Sequence, residues 1–199
     1  MQEAFANRAG PMAIQYVVAA GPTPTGTWIT DPKVGGGRII GEVCHFIDLC
    51  SYLVGDTPVG VQARGLGRDS ASDDSMMALY SYADGSTASV SYLANASGDL
   101  PKERWEVHAD GRSALCDNFR VTTLPGGRKV RGMNQDKGQQ SAVDSCCRAI
   151  AEGLGPIMPI HQSIGASLAC LATLQSMCSA EVVGIKRAEA RSDRGVGLR

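Results

Sequence analysis

The sequence predicts an α+β domain, in which one mainly antiparallel β-sheet carries helices packed on one of its faces. Three observations point there. Apolar residues recur every three or four positions near both ends of the chain. Between residues 58 and 131 the period falls to two, as in half-buried strands. That stretch is also broken by Asp84-Gly85, Asp110-Gly111 and Pro125-Gly126-Gly127, and Asp-Gly between alternating apolar runs favours a tight hairpin.

In chain order, residues 2–8 read as a short helical segment stopped by Gly10-Pro11, and residues 12–20 as a buried strand ending at Gly21-Pro22. Residues 21–37 contain Pro22, Pro24 and Pro32 and form a long loop, a kind of segment that tends to be functional. Residues 39–54 form a helix with Ile40, Val43, Ile47, Cys50 and Val54 on its apolar face and Gly55 at its C-terminal cap. Strands follow at 58–64, 75–82, 87–93, 104–108, 113–116, 119–124 and 128–131. Ser81, Thr87, Ser89 and Ser91 fall on the opposite face from the core, which is either wet or a polar subunit interface. Two helices close the domain. Residues 139–151 turn Val143, Cys147, Ile150 and Ala151 inward, and residues 163–180 carry Leu168, Leu171, Ala172, Leu174 and Met177. The domain spans 1–185, and the basic residues 186–199, without apolar periodicity, form a solvated, disordered tail.

Composition narrows the function. The chain has 199 residues, 43% of them hydrophobic and 20% charged, with a formal net charge of −1. This suits a soluble, cytoplasmic domain and argues against nucleic acid or a membrane surface as a partner. No run approaches the roughly 20 apolar residues that span a bilayer, and the N-terminus lacks a secretory pattern. Seven cysteines, an odd number with no C-x-x-C pair, read as free thiols serving as small apolar groups, with no metal site.

The stretch 35–48, GGGRIIGEVCHFID, holds the candidate chemistry. Its glycines miss the G-x-G-x-x-G spacing, as does Gly65-Leu66-Gly67, and no P-loop pattern occurs. A cofactor-binding residue is therefore not assignable. His108 and His161 read as structural. On a helix, however, Glu42, His45 and Asp48 share one stripe, which Tyr52 continues. A histidine between carboxylates can be held in one tautomer and kept basic, as a general base requires. The same spacing is also common on solvated helix faces. Hydrolysis by this stripe lacks a base-activated nucleophile, since no G-x-S-x-G is present.

Together these residues resemble the C-terminal domain of the Gfo/Idh/MocA oxidoreductases, NAD(P)-dependent enzymes acting mostly on sugars and cyclitols. The carrying motif is 35–48, similar to the family's glycine pair, short spacer and H-x-x-D. Supporting matches are PMAIQYVVAAG (11–21), WITDP (28–32), PKER (101–104), DNFR (117–120) and QDKG (135–138). The resemblance implies that His45, with Glu42, is the acid/base. Asp48 and the turn Gly35, Gly36, Gly37 and Arg38 would hold a sugar-like substrate, with Trp28 as a wall of the site. It also implies an open, mainly antiparallel β-sheet with helices on one face, a homodimer formed through the sheet face, and NAD(P) bound by a Rossmann domain, in cis or trans, that supplies a lysine from an E-K-P motif.

Departures from the family pattern qualify this expectation. The resemblance reaches no Rossmann segment. Gly41 stands where many members carry an aspartate, VVAAG (17–21) replaces a more polar R-V-N-A-G, and Gln139 replaces a histidine. The expected function is the substrate-binding half of a sugar or cyclitol dehydrogenase, without dehydrogenase activity or NAD(P) binding in isolation. The alternative is a non-enzymatic dimerisation or sugar-sensing module derived from that domain.

Overall fold

The computed structural model describes residues 1–24, 26–28, 33–67 and 74–187. Its elements are α1 (Gln2–Phe5), β1 (Ala13–Ala19), α2 (Cys44–Val54), β2 (Gly60–Gly65), β3 (Met76–Ser81), β4 (Thr87–Leu93), β5 (Glu103–Ala109), β6 (Arg112–Asp117), β7 (Val121–Thr123), β8 (Lys129–Arg131), α3 (Gln139–Ala151), α4 (Ile160–Ser179) and β9 (Val183–Gly184). The nine strands form one open sheet in the order β8-β7-β6-β5-β1-β4-β3-β2-β9. Every neighbouring pair is antiparallel except β1–β4, which is parallel.

The hairpins form where the turn residues require them. Asp110 (φ 50) and Gly111 (φ 69) both adopt the left-handed region that a two-residue β5–β6 turn needs. At the β3–β4 turn, Asp84 accepts hydrogen bonds from the Ser86 backbone (2.9 Å) and hydroxyl (2.9 Å) and pairs with Arg8 at 2.6 Å. Arg8 also donates to the carbonyls of Gly10 and Val54, so one guanidinium ties the N-terminal segment to the hairpin and to the end of α2.

Alternation along the strands turns Ile14, Tyr16, Val18, Tyr80, Val90, Tyr92 and Val107 into the core, where each is at most 2% exposed. Against them lie Val43, Ile47, Cys50 and Val54 of the expected apolar face, with Ile40 only half-buried, joined by Phe46 and Leu53. α4 packs on β2 and α2, while α2 reaches β4. Gly165 makes the α4 crossing close: a Cβ there would meet Thr57 Cγ2 at 2.5 Å. Ser176, fully buried, accepts the Ala63 N–H (2.9 Å) and donates to the Glu181 carbonyl (2.6 Å). It thereby satisfies part of the β2 edge that the two-residue β9 leaves uncovered.

Several expectations need correction. α3 does not turn its apolar residues inward: Val143 is 57% and Ile150 76% exposed, Cys147 and Ala151 are exposed, and only Ala149 is buried. The amphipathic pattern is present, but no described layer lies opposite it. Leu171 on α4 is likewise exposed. Cys146, Cys147 and Cys178 are exposed, whereas Cys50, Cys116 and Cys170 are the buried apolar thiols. Burial pushes the thiols of Cys50 and Cys170 up to about 12. The strand expected over 119–124 shortens to β7, because Asn118 (φ 50) and Phe119 (φ 55) form a left-handed turn instead. The tail beyond residue 187 lies outside the described residues.

Candidate functional site

The helical layer covers only part of the sheet. α2 and α4 lie over the β4-β3-β2 half, and beside α2 the inner face of β1 and β5 opens into a cleft of about 660 Å³. Its first wall comes from α2. A π-helical turn, Ile39–Val43, leads into α2, and Ile39, Val43, Phe46 and Ile47 anchor this segment in the core. The opposite side of the helix is thereby turned outward, and Glu42, His45, Asp48 and Tyr52 all line the cleft. His45 is exposed. Glu42 is engaged by Arg38 (3.5 Å) and Lys102 (3.7 Å), so its charge is compensated by two cations. Burial raises the Asp48 carboxyl above its ordinary range, and the nearby His45 offsets part of that rise.

The facing wall is built by β1, β5 and the loop before α3. Tyr16 and Glu103 sit diagonally across the β1–β5 ladder on the inner face. The Tyr16 hydroxyl donates to Glu103 Oε2 at 2.5 Å, and Lys137 Nζ donates to Glu103 Oε1 at 2.5 Å. Glu103 is only 4% exposed, and a buried carboxylate requires such partners. Burial, then the bond to Glu103, push the Tyr16 phenol far above its ordinary value, so it remains a donor. Phe119 lies beneath Lys137, whose ammonium is 5.7 Å from the ring centroid.

The structure thus brings Glu42, His45 and Asp48 to one cleft. It does not bring the remaining sequence candidates there. Gly36 (φ 70) and Gly37 (φ 82) make the turn before the helix, and neither they nor Gly35 line the cleft. Arg38 is 4% exposed; it donates to the Gly21 carbonyl at 2.7 Å and stacks 5.1 Å from the Tyr92 ring centroid. Its cation therefore ties the loop to the core and neutralises Glu42. Trp28 is 68% exposed, and residues 29–32 beside it lie outside the described residues. His108 bonds Ser113 on the outer face of the sheet (2.9 Å), and His161 lines a small pocket adjoining Asp48 and Tyr52.

Sequence reasoning missed the facing wall. Tyr16, Lys102, Glu103, Phe119 and Lys137 were not singled out, although the segments PKER, DNFR and QDKG contain four of them. A signal was available in Glu103: strand alternation puts this charged residue on the core side of β5, where only a paired carboxylate is stable.

The π-helical turn Ile39–Val43 that follows β1 carries a carboxylate, Glu42, in its first turn. Among the described residues no group of three His, Cys, Asp or Glu is placed to hold a metal ion, and no helix is long and apolar enough to cross a membrane.

An open mixed sheet, with a polar helix stripe facing its inner surface across a cleft, differs from the alternating β-α-β arrangement of a dinucleotide-binding fold. Residues 11–114 match the family model described as the GFO/IDH/MocA C-terminal domain, and the chain belongs to that family. Comparison with curated protein sequences gives no match. Among solved structures, levoglucosan dehydrogenase in complex with NADH and L-sorbose superposes with a TM-score of 0.75 at 20% identity, over 94% of this chain and 61% of that one. An oxidoreductase domain protein from Kribbella flavida gives 0.76 at 18% identity, over 93% and 61%. A putative myo-inositol dehydrogenase from Sinorhizobium meliloti 1021 gives 0.71 at 18%, over 93% and 60%. At these identities the likeness concerns the fold, and the chain spans about three-fifths of the length of these neighbours.

Proposed function

We propose that this chain is the substrate-binding, proton-handling half of an NAD(P)-dependent sugar or cyclitol dehydrogenase. The observation that carries the reading is the placement of His45 beside Asp48 on the wall of a cleft, within a domain of this family. In this reading the cleft holds a polyol with one hydroxyl at the His45 imidazole. His45 takes the hydroxyl proton as the carbinol carbon is oxidised to a carbonyl, and returns it in the reverse direction. Asp48 orients the imidazole and contacts hydroxyls, and Glu42 sets the charge on the entry side. The turn Gly35–Gly37 with Arg38 positions the start of the helix. The hydride acceptor, NAD(P) in the family's enzymes, is held by a Rossmann domain in cis or trans. The complete levoglucosan dehydrogenase, whose complexes contain NADH and sugars, has the length for a further domain beyond the part matched here.

The chain alone is expected to bind no NADH at micromolar concentration by fluorescence titration and to oxidise no polyol. With a Rossmann domain supplied, His45→Asn should lower kcat by about 10² to 10⁴, the usual worth of a positioned acid/base. Unchanged turnover in that variant would remove the proton-transfer role.

A homodimer through the outer sheet face is part of the same reading. Strand register places Val17, Ser91 and Met77 in one row, and Gln15, Ser89 and Leu79 in the next. Val17 is 43%, Met77 58% and Leu79 50% exposed, an apolar centre flanked by Arg64, Arg104 and Glu106.

A further inference from the structure

The wall opposite His45 is more elaborately built than a structural support requires. Glu103 is charged and buried, and it is held from one side by Tyr16 and from the other by Lys137. Lys137 is not buried with it: a third of its side chain remains open, and it lines the cleft. The ammonium has three donors, of which one is spent on Glu103, and no further hydrogen bond forms among the described residues.

The segment that delivers Lys137 is fixed at several points. Gln135 donates to Asn118 Oδ1 (3.0 Å), the Asp136 N–H reaches the Phe119 carbonyl (3.3 Å), and Asp136 Oδ1 accepts the Gly138 N–H (2.8 Å). Asn118 and Phe119 both stand at positive φ, a costly conformation for a bulky aromatic residue, and strain of this kind gathers where a side chain must be aimed. Its result here is a Phe119 ring placed against Trp105 (6.4 Å) and under the Lys137 ammonium.

We infer that Lys137, seated on the buried Glu103–Tyr16 pair, is a hydroxyl-binding subsite for a polyol held in the cleft opposite His45. This rests on the proposed polyol-binding role of the cleft and adds a residue and a ligand chemistry to it. Glu103 cancels the Lys137 charge, and Lys102 faces Glu42. The cations on this wall therefore have carboxylate partners already, and the subsite offers directed N–H donors to neutral hydroxyl oxygens rather than net positive charge to a phosphate or carboxylate. A site built to hydrogen-bond a hydroxyl discriminates strongly against an analogue lacking it.

The test is a calorimetric and saturation-transfer NMR titration of the purified chain with myo-inositol, levoglucosan and a set of mono-deoxy inositols. Lys137→Met should weaken myo-inositol binding about tenfold to a hundredfold, the value of a hydrogen bond to a charged group. That variant strands the buried Glu103 carboxylate, so the double variant Glu103→Gln, Lys137→Met, which keeps an acceptor for Tyr16, is measured beside it, with near-ultraviolet circular dichroism reporting the fold. One deoxy-inositol should bind the wild type and the variant equally, because it lacks the hydroxyl that Lys137 contacts. A merely structural role would weaken all members of the series alike, and that result would overturn the subsite. So would a folded variant that binds every polyol as the wild type does. If binding falls in His45→Asn while the Lys137 variants bind normally, the His45 reading stands and the subsite alone is overturned. A wild-type chain that binds no polyol overturns both.

Discussion

Asp48 shows how a single residue can serve the cleft at the cost of the fold. Its carboxylate is partly buried beside an apolar helix face, and burial lifts its titration above the ordinary carboxyl range despite the nearby His45. Between its unfolded- and folded-state values, the folded chain therefore holds a proton there that the unfolded chain has already released. Stability from this group is greatest below the ordinary carboxyl range and falls as pH rises through the folded-state value. Asp48→Asn is expected to raise the Tm at pH 7, with the gain vanishing near pH 3, in parallel thermal melts. A Tm lowered at pH 7 would show that Asp48 is stabilised by partners rather than tolerated. At this scale the sequence was informative on α2 and silent opposite it. The i, i+3 spacing placed Glu42, His45 and Asp48 on one stripe because a helix fixes those directions locally. Glu103 and Lys137 are 34 residues apart and meet only through the sheet, so no local period could pair them.

Elements were legible where one layer decides their environment. α2 and the β3–β4 and β5–β6 hairpins follow from periodicity and from turn residues that accept positive φ. α3 was read correctly as an amphipathic helix but wrongly as a covered one, since periodicity states which face is apolar and not what lies against it. The parallel β1–β4 pair was equally out of reach, because β1 inserts between strands that follow it much later in the chain. The contact between α4 and the loop before β2 carries its own test. Gly165→Ala would drive a Cβ to 2.5 Å from Thr57 Cγ2 and 3.2 Å from Thr57 Cβ, so the short β-branched side chain must shift with its own backbone. The expected loss is about 1–3 kcal/mol in urea unfolding, as for other overpacked contacts. Relief by a second change, Thr57→Ser, would assign the loss to that contact; no loss would mean that α4 shifts freely over β2.

On the scale of the whole molecule, the sheet has two uses for its two faces. The inner face is divided between the helix-covered core and the cleft, and the outer face presents the apolar rows through Val17, Met77 and Leu79. If that face joins two copies, as proposed, the double change Met77→Lys, Leu79→Glu should convert a dimer into a monomer in sedimentation velocity while leaving the circular dichroism spectrum unchanged. A wild-type chain that sediments as a monomer at high micromolar concentration would remove this interface. The α+β class was foreseeable from period and turns and the open sheet from the family resemblance, whereas the cleft exists only because the helical layer stops short of β5.

In the proposed function, the cleft beside α2 receives a polyol at His45. The most direct measurement is the ring-proton NMR signals of the three histidines during titration of the chain with myo-inositol. His108 lies on the outer face of the sheet and serves as the internal reference. The His45 signal should shift saturably while His108 stays still. A His45 signal that remains unmoved while myo-inositol binds elsewhere on the chain would contradict it.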